Sequence, residues 1–135
     1  MDKNLNYLLI LIPLFVLFSC HTEDGCSGVT VCTEEFRSIT VTITQNGQPF
    51  KLDYFKTIHE QTGKVYDFSG RTDFINNDRY VLLTDGQMGE LEKNGSWFRL
   101  EGGIQDTVLV SETYLIGHDC CHIVLVSGPT EIEIK

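Results

Sequence analysis

Ile39-Thr40-Val41-Thr42-Ile43-Thr44-Gln45-Asn46-Gly47-Gln48-Pro49-Phe50 decides the fold class of this chain. Ile39, Val41 and Ile43 alternate with threonines, so each face of an extended segment carries β-branched residues. That is the pattern of a half-buried strand. Asn46-Gly47 then supplies two residues that tolerate positive φ, the chemistry of a tight hairpin turn, and Pro49 cannot donate to a ladder. Alternation resumes at Phe50, Leu52 and Tyr54.

The same grammar continues outward. Gln61-Thr62-Gly63-Lys64 reads as a hairpin tip, followed by a short strand through Val65, Tyr66 and Phe68. Residues 70–78 are polar and turn-rich. Arg79 to Thr84 is a strand, Asp85 to Gly89 a loop, and Glu90 to Lys93 one helical turn. Trp97 to Leu100 is a strand that Gly102-Gly103 ends. Val108 to Ile116 is the longest strand; Ile123 to Val126 returns after a turn at Gly117-His118-Asp119. Beyond Ser127-Gly128-Pro129, Ile132 and Ile134 alternate with Glu131 and Glu133. Short strands at regular spacing, with no long 3.6-residue period, predict an all-β sandwich of about seven or eight strands.

The N-terminus predicts an address. A basic start at Lys3 precedes an apolar run from Tyr7 to Phe18, and Ser19 sits directly before Cys20. The run is shorter than the roughly 20 residues that span a bilayer and fits a signal h-region. A small residue before a cysteine reads as a bacterial lipoprotein signal: export, acylation of Cys20 and cleavage before it. Residues 1–19 are therefore read as signal peptide, 20–33 as a lipidated tether and 34–135 as the β-sandwich domain. His21-Thr22-Glu23-Asp24 resembles the short acidic export tag of Bacteroidetes-type lipoproteins, which implies an outer-membrane lipoprotein, surface-exposed or periplasmic.

The chain has 10 Lys+Arg against 19 Asp+Glu, a net charge of −9. Loss of Asp2 and Lys3 with the signal leaves that balance unchanged. Such a surface repels phosphate backbones, so no nucleic-acid partner is expected. Of five cysteines, Cys20 is assigned to lipid, leaving Cys26, Cys32, Cys120 and Cys121. An even number in an oxidising compartment predicts two disulfides. A bond between neighbours Cys120 and Cys121 would be strongly distorted. Each is therefore expected to reach back to Cys26 or Cys32, in either of two pairings. Loops of roughly 90 residues correspond to about 4–5 kcal/mol of chain entropy as an upper figure.

Ile39 to Phe50 resembles the opening of transthyretin-like, carboxypeptidase-regulatory-like domains, in which a first strand runs into an Asn-Gly-x-Pro turn. Ser127-Gly128-Pro129-Thr130-Glu131-Ile132 resembles the last hairpin of small exported proteins with such domains. The resemblance covers roughly residues 32–135 and implies an Ig-like or transthyretin-like sandwich. It also implies a non-catalytic role as a binding or structural module with a protein or glycan partner, without a cofactor.

His118-Asp119-Cys120-Cys121-His122 departs from that pattern. Thiolates and imidazoles ligate zinc or copper, so His118, Cys120, Cys121 and His122 form the alternative reading, a metal or redox module. Five consecutive residues on a strand or turn cannot all face one ion; a site would also need Cys26, Cys32, His21 or His59. A free, nucleophilic Cys120 or Cys121 beside a histidine, with Asp119 as orienter, is the remaining chemical option. Asp85 and Glu90 flank glycines without the alternating ligands of a calcium loop. Asp73, Asn76, Asn77 and Asp78 read as turn residues.

Tyr54, Phe55, Tyr66, Phe68, Phe74 and Tyr80 are expected mostly in the core, with any exposed subset a sugar or peptide platform. Trp97 and Phe98 should point to opposite faces. Asp106-Thr107-Val108 resembles the O-glycan acceptor of Bacteroidetes-type exported proteins, which implies an exposed Thr107.

Overall fold

The opening alternation becomes strand β1 (Ser38–Gln45), with Val41 and Ile43 fully buried. Asn46 and Gly47 both take positive φ, 52° and 70°, as a two-residue turn matched to strand twist requires. They return the chain into β2 (Gln48–Pro49), which pairs antiparallel with β1. In this computed structural model residues 25–28, 31–69 and 79–135 are described. Residues 1–19, read as a signal peptide, and Cys20, His21, Asp73, Phe74, Asn76, Asn77 and Asp78 lie outside them.

The remaining strands are β3 (Tyr54–His59), β4 (Val65–Tyr66), β5 (Arg79–Thr84), β6 (Ser96–Ile104), β7 (Thr107–His118), β8 (Ile123–Ser127) and β9 (Glu131–Ile134). They form two sheets. In one, β1 pairs antiparallel with β2 and β5 and parallel with β9; the other runs β4-β3-β6-β7-β8, antiparallel throughout. The molecule is an all-β sandwich. The described residues hold nine strands, the two-residue β2 and β4 taking the number past the expected seven or eight.

The core lies between the sheets. Val41, Ile43 and Tyr80 from one meet Phe55, Phe98, Leu100, Tyr114 and Ile116 from the other. Tyr80 is its pivot. Its ring stands edge-on to Phe55 at 5.0 Å, and its hydroxyl donates to Phe50 O at 2.8 Å and accepts from Leu52 N at 2.9 Å. That satisfies a buried phenol and pins the segment between β2 and β3. Burial pushes the Tyr114 phenol up from its ordinary pKa. Tyr114 Oη and Thr57 Oγ1 are buried without a hydrogen-bond partner among the described residues.

Two local expectations fail for identifiable reasons. Gly102-Gly103 does not end its strand, because β6 runs through it to Ile104 with a register shift there. A Cβ on Gly103 would lie 1.9 Å from Thr107 O, so the glycine permits close backbone approach at a bulge. Asp85 to Gly89 is not a loop followed by a helical turn at Glu90. Asp85–Glu90 is itself a 3-10 helix. Thr84 caps it, accepting from Gly86 N, while the Gln87 side chain accepts from Thr84 N, a reciprocal capping box.

Candidate functional site

β7 ends at His118 and β8 begins at Ile123, so the Cys/His cluster occupies the turn between them. Asp119 builds that turn: its Oδ1 accepts the N–H of Cys121 at 3.0 Å and of His122 at 2.7 Å. These backbone donors hold its carboxyl below the ordinary range. Cys120 takes a positive φ of 78°, and the two neighbouring cysteines reach different partners. Cys26 bonds Cys120 and Cys32 bonds Cys121, one of the two pairings left open by the sequence. Both bonds link residues about ninety apart, at separations of 94 and 89.

The turn also sends its two histidines apart. His122 is buried, with Nδ1 2.8 Å from Asp85 Oδ2 and Nε2 2.8 Å from Thr33 Oγ1. Asp85 accepts further bonds from Arg37 N at 2.8 Å and Ile123 N at 2.9 Å. Burial alone would raise its pKa; the bonds from Arg37, His122 and Ile123 outweigh burial and hold the carboxyl below its ordinary value. The order hydroxyl, imidazole, carboxylate is that of a nucleophilic triad. Here it also fastens the N-terminal segment and the 3-10 helix to β8.

His118 faces the other way. Its Nδ1 accepts the Cys120 N–H at 3.2 Å and lies 3.9 Å from Cys26 Sγ. Cys26, His118 and Cys120 line a small open pocket of 210 Å³ together with Met88, Gly89 and Leu91. Ligand atoms of Cys26, His118 and Cys120 lie within 4.8 Å of one another. Lys93 steadies this corner: its Nζ donates to Gly25 O at 2.6 Å and its carbonyl accepts from His118 N at 3.4 Å.

The alternative ligand set therefore divides. His118 and Cys120 share the pocket; Cys121 is bonded to Cys32 and His122 is engaged by Asp85 and Thr33. Consecutive residues in a turn cannot converge, and it is Cys26, from the other end of the chain, that completes the group. The Asp119 carboxylate serves backbone N–H groups of the turn, and both cysteines of the nucleophile option are disulfide-bonded. Nothing in the sequence marks Asp85 and Thr33 as partners of His122; the capping pattern Thr84-x-x-Gln87 is the signal that Asp85 opens a short helix. Thr107 begins β7 and is exposed.

Of the other aromatics, Phe55, Tyr66, Phe68 and Tyr80 are buried and Tyr54 is partly so. Phe98 is in the core while Trp97 is 48% exposed, as neighbours on a strand require. No helix among the described residues is long and apolar enough to cross a membrane.

Fold and site together define an all-β sandwich whose N-terminal segment is bonded twice to one turn. Compared with protein families, curated proteins and solved structures, the chain shows no match.

Proposed function

We propose that this protein is a lipid-anchored module of a bacterial cell envelope, non-catalytic, with a binding or structural role toward a protein or glycan partner. The observation that carries the reading is the cysteine pairing. Four of five cysteines close two disulfides, which suits an exported chain, and Cys20 is left over for acylation after Ser19. The sandwich is read as Ig-like or transthyretin-like, on the resemblance of its opening strand and Asn-Gly turn. Its place is the outer membrane, with the surface face favoured by the acidic residues after Cys20. In this reading Thr33, His122 and Asp85 act as a strut, and Thr107 is a glycan acceptor on an exposed strand end.

The test is metabolic labelling with an alkyne fatty acid in a diderm bacterium. Wild-type chain should carry label and fractionate with membranes, and Cys20→Ala should lose both. Equal labelling of the variant, or its retention in the membrane fraction, would contradict the anchor.

A further inference from the structure

The geometry points to a second state of the cross-linked end. With the Cys26–Cys120 bond reduced, Cys26, Cys120 and His118 form a site for one soft monovalent ion, Cu(I), with the Met88 thioether in the same pocket. This does not depend on where the chain is anchored.

Three observations meet here. The donor atoms of Cys26, His118 and Cys120 already lie within 4.8 Å of one another. A metal with thiolate bonds near 2.3 Å sets neighbouring ligand atoms about 3.8 Å apart, so parting the two sulfurs is the main adjustment. The space exists, since the 210 Å³ pocket is lined by the same three residues. The frame also stays tied when this bond opens. Cys32–Cys121 still links the same two segments, and Lys93 still binds Gly25 O and His118 N.

The donor set selects the ion. Two thiolates and a neighbouring thioether favour Cu(I) over harder divalent ions. The lone pair of His118 Nδ1 accepts the Cys120 N–H while the disulfide is closed; a metal takes that lone pair in place of the amide. Among the described residues no other group of three such donors is this close. Among the described residues neither Cys32 nor Cys121 belongs to such a donor group, so the two disulfides differ in kind.

Opening the bond needs a reductant, which we take to be a dithiol. One thiolate attacks a sulfur of the Cys26–Cys120 bond, and the second resolves the mixed disulfide. The dithiol becomes a disulfide and the protein gains two thiols, so electrons and protons balance. Cu(I) then displaces the two thiol protons.

The experiment uses the full chain in detergent micelles with Cys20→Ser, so that no fifth thiol competes. The protein is reduced anaerobically with one equivalent of a dithiol, which is then removed; thiol trapping checks that Cys32–Cys121 stays closed, and the chain is titrated with Cu(I) held by a coloured bicinchoninate competitor. One Cu(I) per chain should be withdrawn after reduction and none before it. Cys26→Ser or Cys120→Ser should weaken binding by more than the roughly 10–100-fold that loss of an outer partner costs. His118→Ala should weaken it about tenfold, within that same range. The double variant Cys32→Ala with Cys121→Ala should still bind one equivalent. Near-UV circular dichroism follows the fold throughout. The proposal is overturned if no copper leaves the competitor or if Cys32 and Cys121 contribute equally. It is also overturned if zinc is held in preference, or if the reduced chain loses its tertiary signal and copper does not restore it.

Discussion

The space between the sheets and the cross-linked end of the sandwich are held by different physics. Between the sheets, Val41, Ile43, Phe55, Tyr80, Phe98, Leu100, Tyr114 and Ile116 exclude water with few polar groups. At the end, where the N-terminal segment, the 3-10 helix and the β7–β8 turn meet, two disulfides and one buried histidine–aspartate pair stand in for a core. Burial spreads its contribution over many side chains, so any one truncation is costly but the fold has no single fastening. The end has few fastenings and each is specific, so it answers to reductant through its disulfides and to pH through Asp85.

The largest expected effect falls between the sheets. Phe98 is fully buried and touches His59 edge-on at 4.8 Å. Phe98→Ala should cost about 3–5 kcal/mol in urea unfolding with the disulfides intact. Next comes the end: Cys32→Ala with Cys121→Ala opens one long loop and should cost about 2–4 kcal/mol. A smaller loss there would mean that the strut carries more of the attachment than the bond.

The contrast also explains what the sequence could say. Period-two alternation is local, so β1 and β9 were legible residue by residue; β5 showed instead as a continuous apolar run from Tyr80 to Leu83, and Asn46-Gly47 announced its own turn. Adjacency of Cys120 and Cys121 excluded a bond between them, so their reach back was legible too. The pairing was not, because both partners lie in one short segment and nothing local distinguishes them. The Thr33–His122–Asp85 chain joins residues from three distant places, and no periodicity marks such a meeting. Gly103 misled because a glycine that ends a strand and one that admits a bulge look alike in sequence.

A third prediction concerns that strut. His122→Ala leaves Asp85 and Thr33 without their shared partner and should cost about 1–3 kcal/mol, with Cys32–Cys121 still closed. The pH dependence follows from Asp85. Its folded pKa lies below the ordinary 3.8, so its contribution is complete above that value and is lost as pH falls through the folded pKa. The Asp85 contribution to the urea midpoint should therefore be steady above about pH 5 and fall below about pH 4, and Asp85→Asn should flatten part of the acid-side fall.

The smallest effect has the opposite sign. Thr57 is fully buried with its hydroxyl unpartnered among the described residues. Thr57→Val removes that unmet group at nearly constant volume and should be neutral or stabilise by about 1 kcal/mol. A clear loss would show that the hydroxyl has found a partner.

The measurement that goes most directly to the account asks which cysteines are joined, by intact mass after thiol trapping without reductant. Two double variants are compared, both also carrying Cys20→Ser. Cys26→Ala with Cys120→Ala should trap no label, because Cys32 and Cys121 remain bonded. Cys26→Ala with Cys121→Ala should trap two, because Cys32 and Cys120 are not partners. The reverse pattern would contradict the pairing on which the strut, the pocket and the difference between the two disulfides all rest.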